Sequence, residues 1–249
     1  AWWMFKQMFD KNQVYRGKKP IHWCPHCETS LAGAEVEQTE KTDPGVYVKF
    51  KLKNDDASLL VFTTTPWTLP SNVAIAATRQ GVYVKVKTDS GNLILAEARL
   101  ELLDSLGINY RIIRKFKGKT LEGEEYSPLF DLPTQTSLNK NKKARRIYMS
   151  IPILKERIAP KTAEKKGVKA KDVFEQFVSV DEGTGFVHMA PGHGKTDNEV
   201  GKHYGLPELS PLDDACNFTE NAGKYRGMFV KYADNSIIKK LEKLLFPQV

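Results

Sequence analysis

Apolar and polar positions alternate through this 249-residue chain in short runs rather than long ones. Val46, Val48 and Phe50 alternate with Tyr47, Lys49 and Lys51, the two-residue period of a strand with one face buried. Further short strands are predicted over 59–64, 73–77, 82–87, 92–96, 108–116, 173–180 and 186–189. In the run 82–87, Val82, Val84 and Val86 form the inner face and Tyr83, Lys85 and Lys87 the outer. Helical spacing is predicted over 97–106, closed by Gly107, over 197–204, stopped by Gly205 and Pro207, and over 236–245 as an amphipathic helix. Residues 1–16 carry Trp2, Trp3, Phe5, Met8, Phe9 and Val14 close to one helical stripe, ended by Arg16-Gly17-Lys18-Lys19-Pro20. Residues 21–45 read as an irregular linker or ribbon, and 127–173 are weakly patterned. No internal repeat is visible. Many short strands with few helices predict a mainly β, α+β fold: a closed or nearly closed β-barrel with peripheral helices.

The chain divides at the pattern change near Val46. Residues 1–45 form a leading helix and connective segment, and 46–249 a domain with a barrel core and a basic insertion at about 134–173. Hydrophobic content of 41% and charged content of 27% are those of an ordinary globular protein. No apolar run approaches the roughly 20 residues that span a bilayer, and the start, Ala1-Trp2-Trp3-Met4, lacks the build of a signal peptide. Three cysteines, an odd number, argue against a disulfide framework and fit a reducing compartment, the cytoplasm or an organelle interior.

The net charge of +8 favours a polyanionic partner without naming it. Lys140, Lys142, Lys143, Arg145 and Arg146 fall within seven positions, and Lys161, Lys165, Lys166, Lys169 and Lys171 follow. Both runs are poor in aromatics and read as exposed loops or a charged helix.

Candidate chemistry begins at Thr63-Thr64-Thr65-Pro66-Trp67-Thr68-Leu69-Pro70-Ser71-Asn72. Threonine hydroxyls both donate and accept, on side chains stiff at χ1. Pro66 and Pro70 stop the preceding strand. A rigid polar wall beside one flat apolar surface, Trp67, would suit a small polar ligand; a merely capped strand end is equally open from these residues. A second segment runs from Asp181 to Asp197. It holds Gly183-Thr184-Gly185, His188, Ala190-Pro191 and Gly192-His193-Gly194, with Asp197 at the start of a predicted helix. Amides at a helix N-terminus suit an anion or carbonyl oxygen, and Asp197 there could simply complement the helix dipole.

Together the two segments resemble the editing domain of isoleucyl-tRNA synthetase. That family's Thr-Thr-Thr-Pro-Trp-Thr-Leu-Pro-x-Asn is matched by Thr63 to Asn72. Its Gly-Thr-Gly-x-Val-His-x-Ala-Pro-Gly-His-Gly-x-x-Asp is matched by Gly183 to Asp197. The stretch from Tyr15 to Ala32 is similar to the segment that leads into the family's insertion. The valyl and leucyl relatives usually carry Thr-Thr-Arg-Pro where this chain has Thr64-Thr65-Pro66. The resemblance implies hydrolysis of mischarged Val-tRNA(Ile), extending to valyl-adenylate. The discrimination needed is set by one methylene, worth about 1–3 kcal/mol, and isoleucine against valine is the standing example of that limit.

The resemblance also assigns roles. Asp197 pairs with the α-ammonium of the aminoacyl group. Trp67, Thr68 and His188 bound the side-chain pocket, His188 helping to exclude the larger amino acid. Thr63, Thr64 and Thr65 position the ester, the terminal adenosine or the attacking water, and Asn72 matches a position tied to editing. Gly192 and Gly194 belong to the binding loop, and His193 takes a loop-shaping or secondary role. Cys24-Pro25-His26-Cys27 has zinc-ligand spacing but only half of a four-ligand set, and in some relatives a second cysteine pair lies further on. Cys24 and Cys27 are therefore weak metal candidates, no zinc is expected, and editing is expected to need no cofactor. The implied partners are the acceptor end of tRNA(Ile) and the rest of the synthetase, with no membrane. The chain carries neither the His-Ile-Gly-His nor the Lys-Met-Ser-Lys-Ser signature of a class I catalytic domain, so it reads as an excised insertion. Two alternatives stand beside this reading: a basic tRNA-binding module without catalysis, and a sister editing domain that clears threonine from tRNA(Val).

Overall fold

The computed structural model describes residues 1–37, 39–158 and 171–241, with only the backbone at 156–158 and 171–172. Lys161, Lys165, Lys166 and Lys169 of the second basic run, and positions 242–245 of the predicted last helix, lie outside the described residues.

After a nine-residue helix α1 (Trp2–Asp10) that buries none of its side chains, a small ribbon pairs β1 (Trp23–Cys24) with β2 (Thr29–Ser30). The main sheet has five strands in the order β3-β4-β7-β6-β8. These are β3 (Val46–Lys51), β4 (Ala57–Thr63), β6 (Val82–Thr88), β7 (Gly91–Ala96) and β8 (Tyr110–Lys117). The three-stranded sheet runs β12-β5-β9, from β12 (Phe186–Met189), β5 (Ala74–Ala77) and β9 (Ile147–Met149), with β5 parallel to β9 and antiparallel to β12. A separate ribbon pairs β10 (Pro152–Ile158) with β11 (Lys171–Gln176).

The expected barrel does not close; the described strands form separate sheets. The reason lies in the Thr/Pro run. Residues Pro66–Ser71 wind into a 3-10 turn, with Pro66 in its first position and Pro70 inside it. Neither proline can donate to a ladder, so the chain leaves the large sheet at Thr63 and starts the small one at Ala74. At the other edge β8 presents Arg111, Arg114, Lys115 and Lys117 on a largely exposed strand, and such charge on an edge opposes further pairing.

The large sheet is covered on both faces. Val48, Phe50, Leu59, Val61 and Ile94 belong to the principal core, with Ile75, Tyr126 and the last helix. Leu60, Val84, Val86, Leu93 and Leu95 pack instead under Leu102 and Leu103 of α2 (Glu101–Ser105). Tyr83, read from the sequence as outward-facing, is fully buried, its hydroxyl donating to the Gly185 carbonyl at 2.6 Å. The predicted helix over 97–106 is a 3-10 turn, Glu97–Arg99, continued by α2 and closed by Gly107 at φ +64°.

Two further corrections concern the first basic run and the last helix. The weakly patterned stretch 127–146 is packed: Phe130, Leu132, Leu138 and Ala144 are buried, around the single turn α3 (Pro133–Thr136). In the basic run only Lys140, Lys142 and Lys143 are exposed, Arg145 and Arg146 being half-buried. The last helix, α5 (Val230–Leu241), begins six residues before the predicted start. Its buried positions Val230, Ala233, Ile237 and Leu241 keep helical spacing, but they include a buried acid, Asp234, which breaks the apolar pattern. Among the described residues no helix is long and apolar enough to cross a membrane.

Candidate functional site

The site lies where the two sheets meet. Strand β4 ends at Thr63, and the Thr65 amide turns back to donate to Thr63 Oγ1 at 3.1 Å. Thr68 Oγ1 donates to the Thr65 carbonyl at 2.8 Å, tying the 3-10 turn to its own start. Trp67 is held from behind, its amide donating to Asp234 Oδ1 of α5 at 2.8 Å. The opposite wall is β12, which brings His188 opposite Ile75. The loop after it folds tightly: the amides of His193 and Gly194 both donate to the Ala190 carbonyl, at 2.9 and 3.1 Å. It ends at the Gly194 N-cap of α4 (Lys195–Tyr204), which places Asp197 in the first helical turn.

These elements enclose a cavity of about 370 Å3 lined by Phe62, Thr63, Thr64, Thr65, Trp67, Thr68, Val187, His188, Ala190, His193, Gly194 and Asp197. Thus Thr63, Thr64, Thr65, Trp67, Thr68, His188, His193, Gly194 and Asp197, picked out from two segments more than a hundred residues apart, share one wall-to-wall space. Gly192 lines a neighbouring cavity with Lys18, Lys19 and Trp23. A Cβ on it would sit 2.0 Å from the Leu209 carbonyl oxygen, so close backbone approach requires glycine there. Asn72 is buried behind the wall, donating to His188 Nδ1 at 2.8 Å.

Electrostatically the cavity holds one acid and two neutral imidazoles. Asp197 Oδ2 accepts the Ala190 amide at 2.9 Å. Burial raises its pKa above the ordinary 3.8, against the pull of the backbone amides. Burial, helped by the proximity of His193, pushes His188 down to about 3, and burial pushes His193 down to about 4. His188 has a hydrogen bond on each ring nitrogen, the second with Thr68 Oγ1 at 3.0 Å. His193 Nε2 meets Ser71 Oγ at 2.9 Å, and its ring stands edge-on to Trp67 with centroids 5.0 Å apart. Both ring nitrogens of His188 are engaged, and with their lowered pKa values both imidazoles are weak bases at neutral pH. What the cavity offers is a carboxylate for a cation, a row of hydroxyls at 3.3–3.4 Å from Thr63 through Thr65 to Thr68, and an apolar side made by Trp67 and Val187.

Sequence reasoning missed the layer that supports these groups. Tyr126 donates to Asn72 Oδ1 at 2.7 Å. Gln135 Nε2 donates to the carbonyls of both Pro70 and Asn72 at 2.9 Å. Asp234 and Ser71 complete it. Asp234 could have been found as the one acid at a buried helical position; Tyr126 and Gln135 sit in polar stretches that give no signal. Elsewhere, the Cys27 amide donates to Cys24 Sγ at 3.4 Å and His26 Nδ1 lies 3.8 Å from Cys27 Sγ. Among the described residues no group of three or more metal-ligating side chains gathers there or elsewhere.

The family model of the tRNA synthetases class I (I, L, M and V) matches residues 1–208. The chain belongs to that family. It is 40% identical over 241 residues to the isoleucine–tRNA ligase of Methanothermobacter marburgensis, covering 97% of this chain and 20% of that protein. With the ligase of Fervidobacterium pennivorans it shares 38% over 242 residues, 96% of this chain and 23% of the relative. With that of Pyrococcus horikoshii it shares 39% over 254 residues, 98% and 21%. This synthetase chain therefore spans about a fifth of the length of the curated relatives it matches. In fold it is similar to the crystal structure of GlLeuRS-CP1, with a TM-score of 0.55 at 13% identity over 82% of this chain and 98% of that one. It is also similar to the editing domain of the P. falciparum cytosolic leucyl-tRNA synthetase, with a TM-score of 0.50 at 12% identity, covering 83% and 100%. The synthetase-derived editing-domain fold is thereby established.

Proposed function

We propose that this domain hydrolyses the ester of valine mischarged onto tRNA(Ile), and valyl-adenylate at the same site. The observation that carries the reading is the convergence of the threonine turn, His188 and Asp197 on one cavity of about 370 Å3. Asp197 anchors the α-ammonium, a charge-assisted contact that selects an aminoacyl ester with a free amine. Thr68, Trp67 and His188 bound a pocket that takes valine and refuses isoleucine, supplying the second sieve that a single methylene cannot. Thr63, Thr64 and Thr65 orient the ester and the attacking water. With both imidazoles neutral and hydrogen-bonded, rate comes from positioning and polarisation, with the substrate's ribose hydroxyl or a second water taking the proton. The step uses no metal and no cofactor. Residues 46–249 form the editing unit and 1–45 its connection to the rest of the synthetase, the second partner beside the tRNA acceptor end, in the cytoplasm or an organelle.

The test is deacylation of Val-tRNA(Ile) beside Ile-tRNA(Ile), with Asp197→Ala as control. Selective loss of the valyl ester, absent in the variant, is expected. Failure both to hydrolyse it and to bind a non-hydrolysable valyl-adenosine analogue would reject the pocket and leave a tRNA-binding module. Preference for Thr-tRNA(Val) would assign the sister activity.

A further inference from the structure

The hydrogen positions around His188 are fixed by chemistry rather than by choice. Asn72 Nδ2 faces two groups, the Ala74 carbonyl at 3.0 Å and His188 Nδ1 at 2.8 Å. A carbonyl oxygen only accepts, so the amide atom facing Ala74 is the nitrogen. Its other hydrogen then points at His188 Nδ1, which must carry the lone pair. In a neutral imidazole the proton is therefore on Nε2, and it is donated to Thr68 Oγ1 at 3.0 Å. Thr68 in turn gives its own hydrogen to the Thr65 carbonyl at 2.8 Å. At the head of this series stands Tyr126, fully buried and outside the cavity, whose hydroxyl donates to Asn72 Oδ1 at 2.7 Å. Its ring is fully buried and stands edge-on to Phe50 with centroids 5.3 Å apart, which holds the hydroxyl oxygen beside Asn72.

We propose that Tyr126 is a specificity-positioning residue: by occupying Asn72 Oδ1 it locks that amide, and through it the tautomer and ring orientation of His188 on the pocket wall. The proposal rests on the reading of the cavity as the valine sieve, but its first readout does not. Without the tyrosine hydroxyl, Asn72 Oδ1 is a buried acceptor with no donor, a penalty that the amide relieves by rotating. Rotation breaks the bond to His188 Nδ1, frees the ring, and blurs the wall that refuses the larger side chain.

The experiment uses histidine labelled with nitrogen-15 in the full chain, with His188 assigned by its loss in His188→Gln. In the wild type His188 is expected as the pure Nε2–H tautomer, and in Tyr126→Phe as an averaged pair of tautomers. In parallel, the ratio of valyl- to isoleucyl-ester hydrolysis on tRNA(Ile) is expected to fall about three- to tenfold in Tyr126→Phe. That fall comes through faster loss of the isoleucyl ester, with kcat on the valyl ester moving by less than about twofold. A Nδ1–H tautomer in the wild type overturns the proposal, as does a folded Tyr126→Phe with unchanged tautomer and unchanged ratio. Should the phenylalanine variant fail to fold, 3-fluorotyrosine at position 126 keeps ring and hydroxyl but makes a stronger donor. It must then shift the His188 nitrogen resonances, and unmoved resonances reject the idea. If the wild type hydrolyses neither ester, the sieve reading falls while the tautomer measurement still decides the role of Tyr126.

Discussion

Asp197 Oδ2 accepts the amide of Ala190 at 2.9 Å, across the tight loop formed by Gly192, His193 and Gly194. Burial leaves the carboxylate partly desolvated, and among the described residues no cation pairs with it. Burial has already raised its pKa, so the folded protein carries this charge at a cost that a bound ammonium offsets.

Replacing Asp197 by Asn should therefore separate function from stability. The amide keeps an acceptor for Ala190 but loses the charge. Binding of a valyl-adenosine analogue should weaken about 10- to 100-fold, the range for a hydrogen bond to a charged group. The melting temperature of the free protein at neutral pH should rise, because the ionised form was the disfavoured one in the fold. Calorimetry on both proteins checks this; a fall in melting temperature would make Asp197 a structural cap. In the wild type, analogue binding should fade as pH drops through the raised pKa of Asp197, above the usual 3.8.

Acid should unfold the domain through its two cavity histidines. Both have folded pKa values below the ordinary 6.5, at about 3 for His188 and about 4 for His193. The unfolded chain thus binds protons that the folded one refuses. Stability is full above 6.5 and is lost as pH falls from there through about 4 for His193 and about 3 for His188, with a slope of up to about 1.4 kcal/mol per pH unit for each histidine. Asp197, with its raised pKa, acts in the opposite sense once it protonates. Urea denaturation at pH 7.5, 6 and 5 measures the slope, and His193→Gln should cut it by about half.

Gly194 has no room for a side chain. A Cβ there would lie 2.7 Å from Asp197 Cγ and Oδ2. Gly194→Ala should push the carboxylate off its bond to Ala190 and lower valyl-ester hydrolysis about tenfold, the scale on which catalytic geometry responds to such shifts. Steady-state kinetics with a melting curve checks this; unchanged kcat/KM would mean that the carboxylate does not need its present position.

Asp234→Ala should cost about 1–3 kcal/mol, since the Trp67 amide loses its buried acceptor. Asp234→Asn, which keeps an oxygen for that amide, should cost far less. Because the lost bond anchors Trp67, the alanine variant should also raise KM for the valyl ester. Equal stability of the two variants would show that the contact to Trp67 is not what Asp234 supplies.

Much of this was legible in the chain. The alternation at Val46, Val48 and Phe50 gives β3 with the expected buried face, and 186–189 and the helix ending at Gly205 fall where the pattern puts them. Nine of the candidate site residues share one cavity, but residue type alone left a capped strand end and a dipole-complementing acid equally open, and only the family resemblance singled them out. Partnership was not legible. A sequence cannot show that Tyr126 reaches Asn72 from 54 positions away, because a tyrosine in a polar stretch looks the same whether its hydroxyl meets water or an amide. Tyr83 was misplaced because alternation reports one buried face, whereas β6 is covered on both. Closure of the barrel was not legible, because strand content says nothing of closure, which here fails at Pro66 and Pro70.

The cavity has one wall on each sheet: the threonine turn leaves the large one, and His188 rides on the small one. The Thr68–His188 bond at 3.0 Å clasps the two together. The arrangement works as a caliper, with one jaw on each sheet and further pins beside that bond: Asn72 to His188 at 2.8 Å, Ser71 to His193 at 2.9 Å and Tyr83 to the Gly185 carbonyl at 2.6 Å. Its gap also depends on how the sheets seat behind it, where Gly185 lets the start of β12 close on Ala96 with no room for a Cβ. A methyl group added at that distant seat would reset the gauge as surely as one added at the jaws.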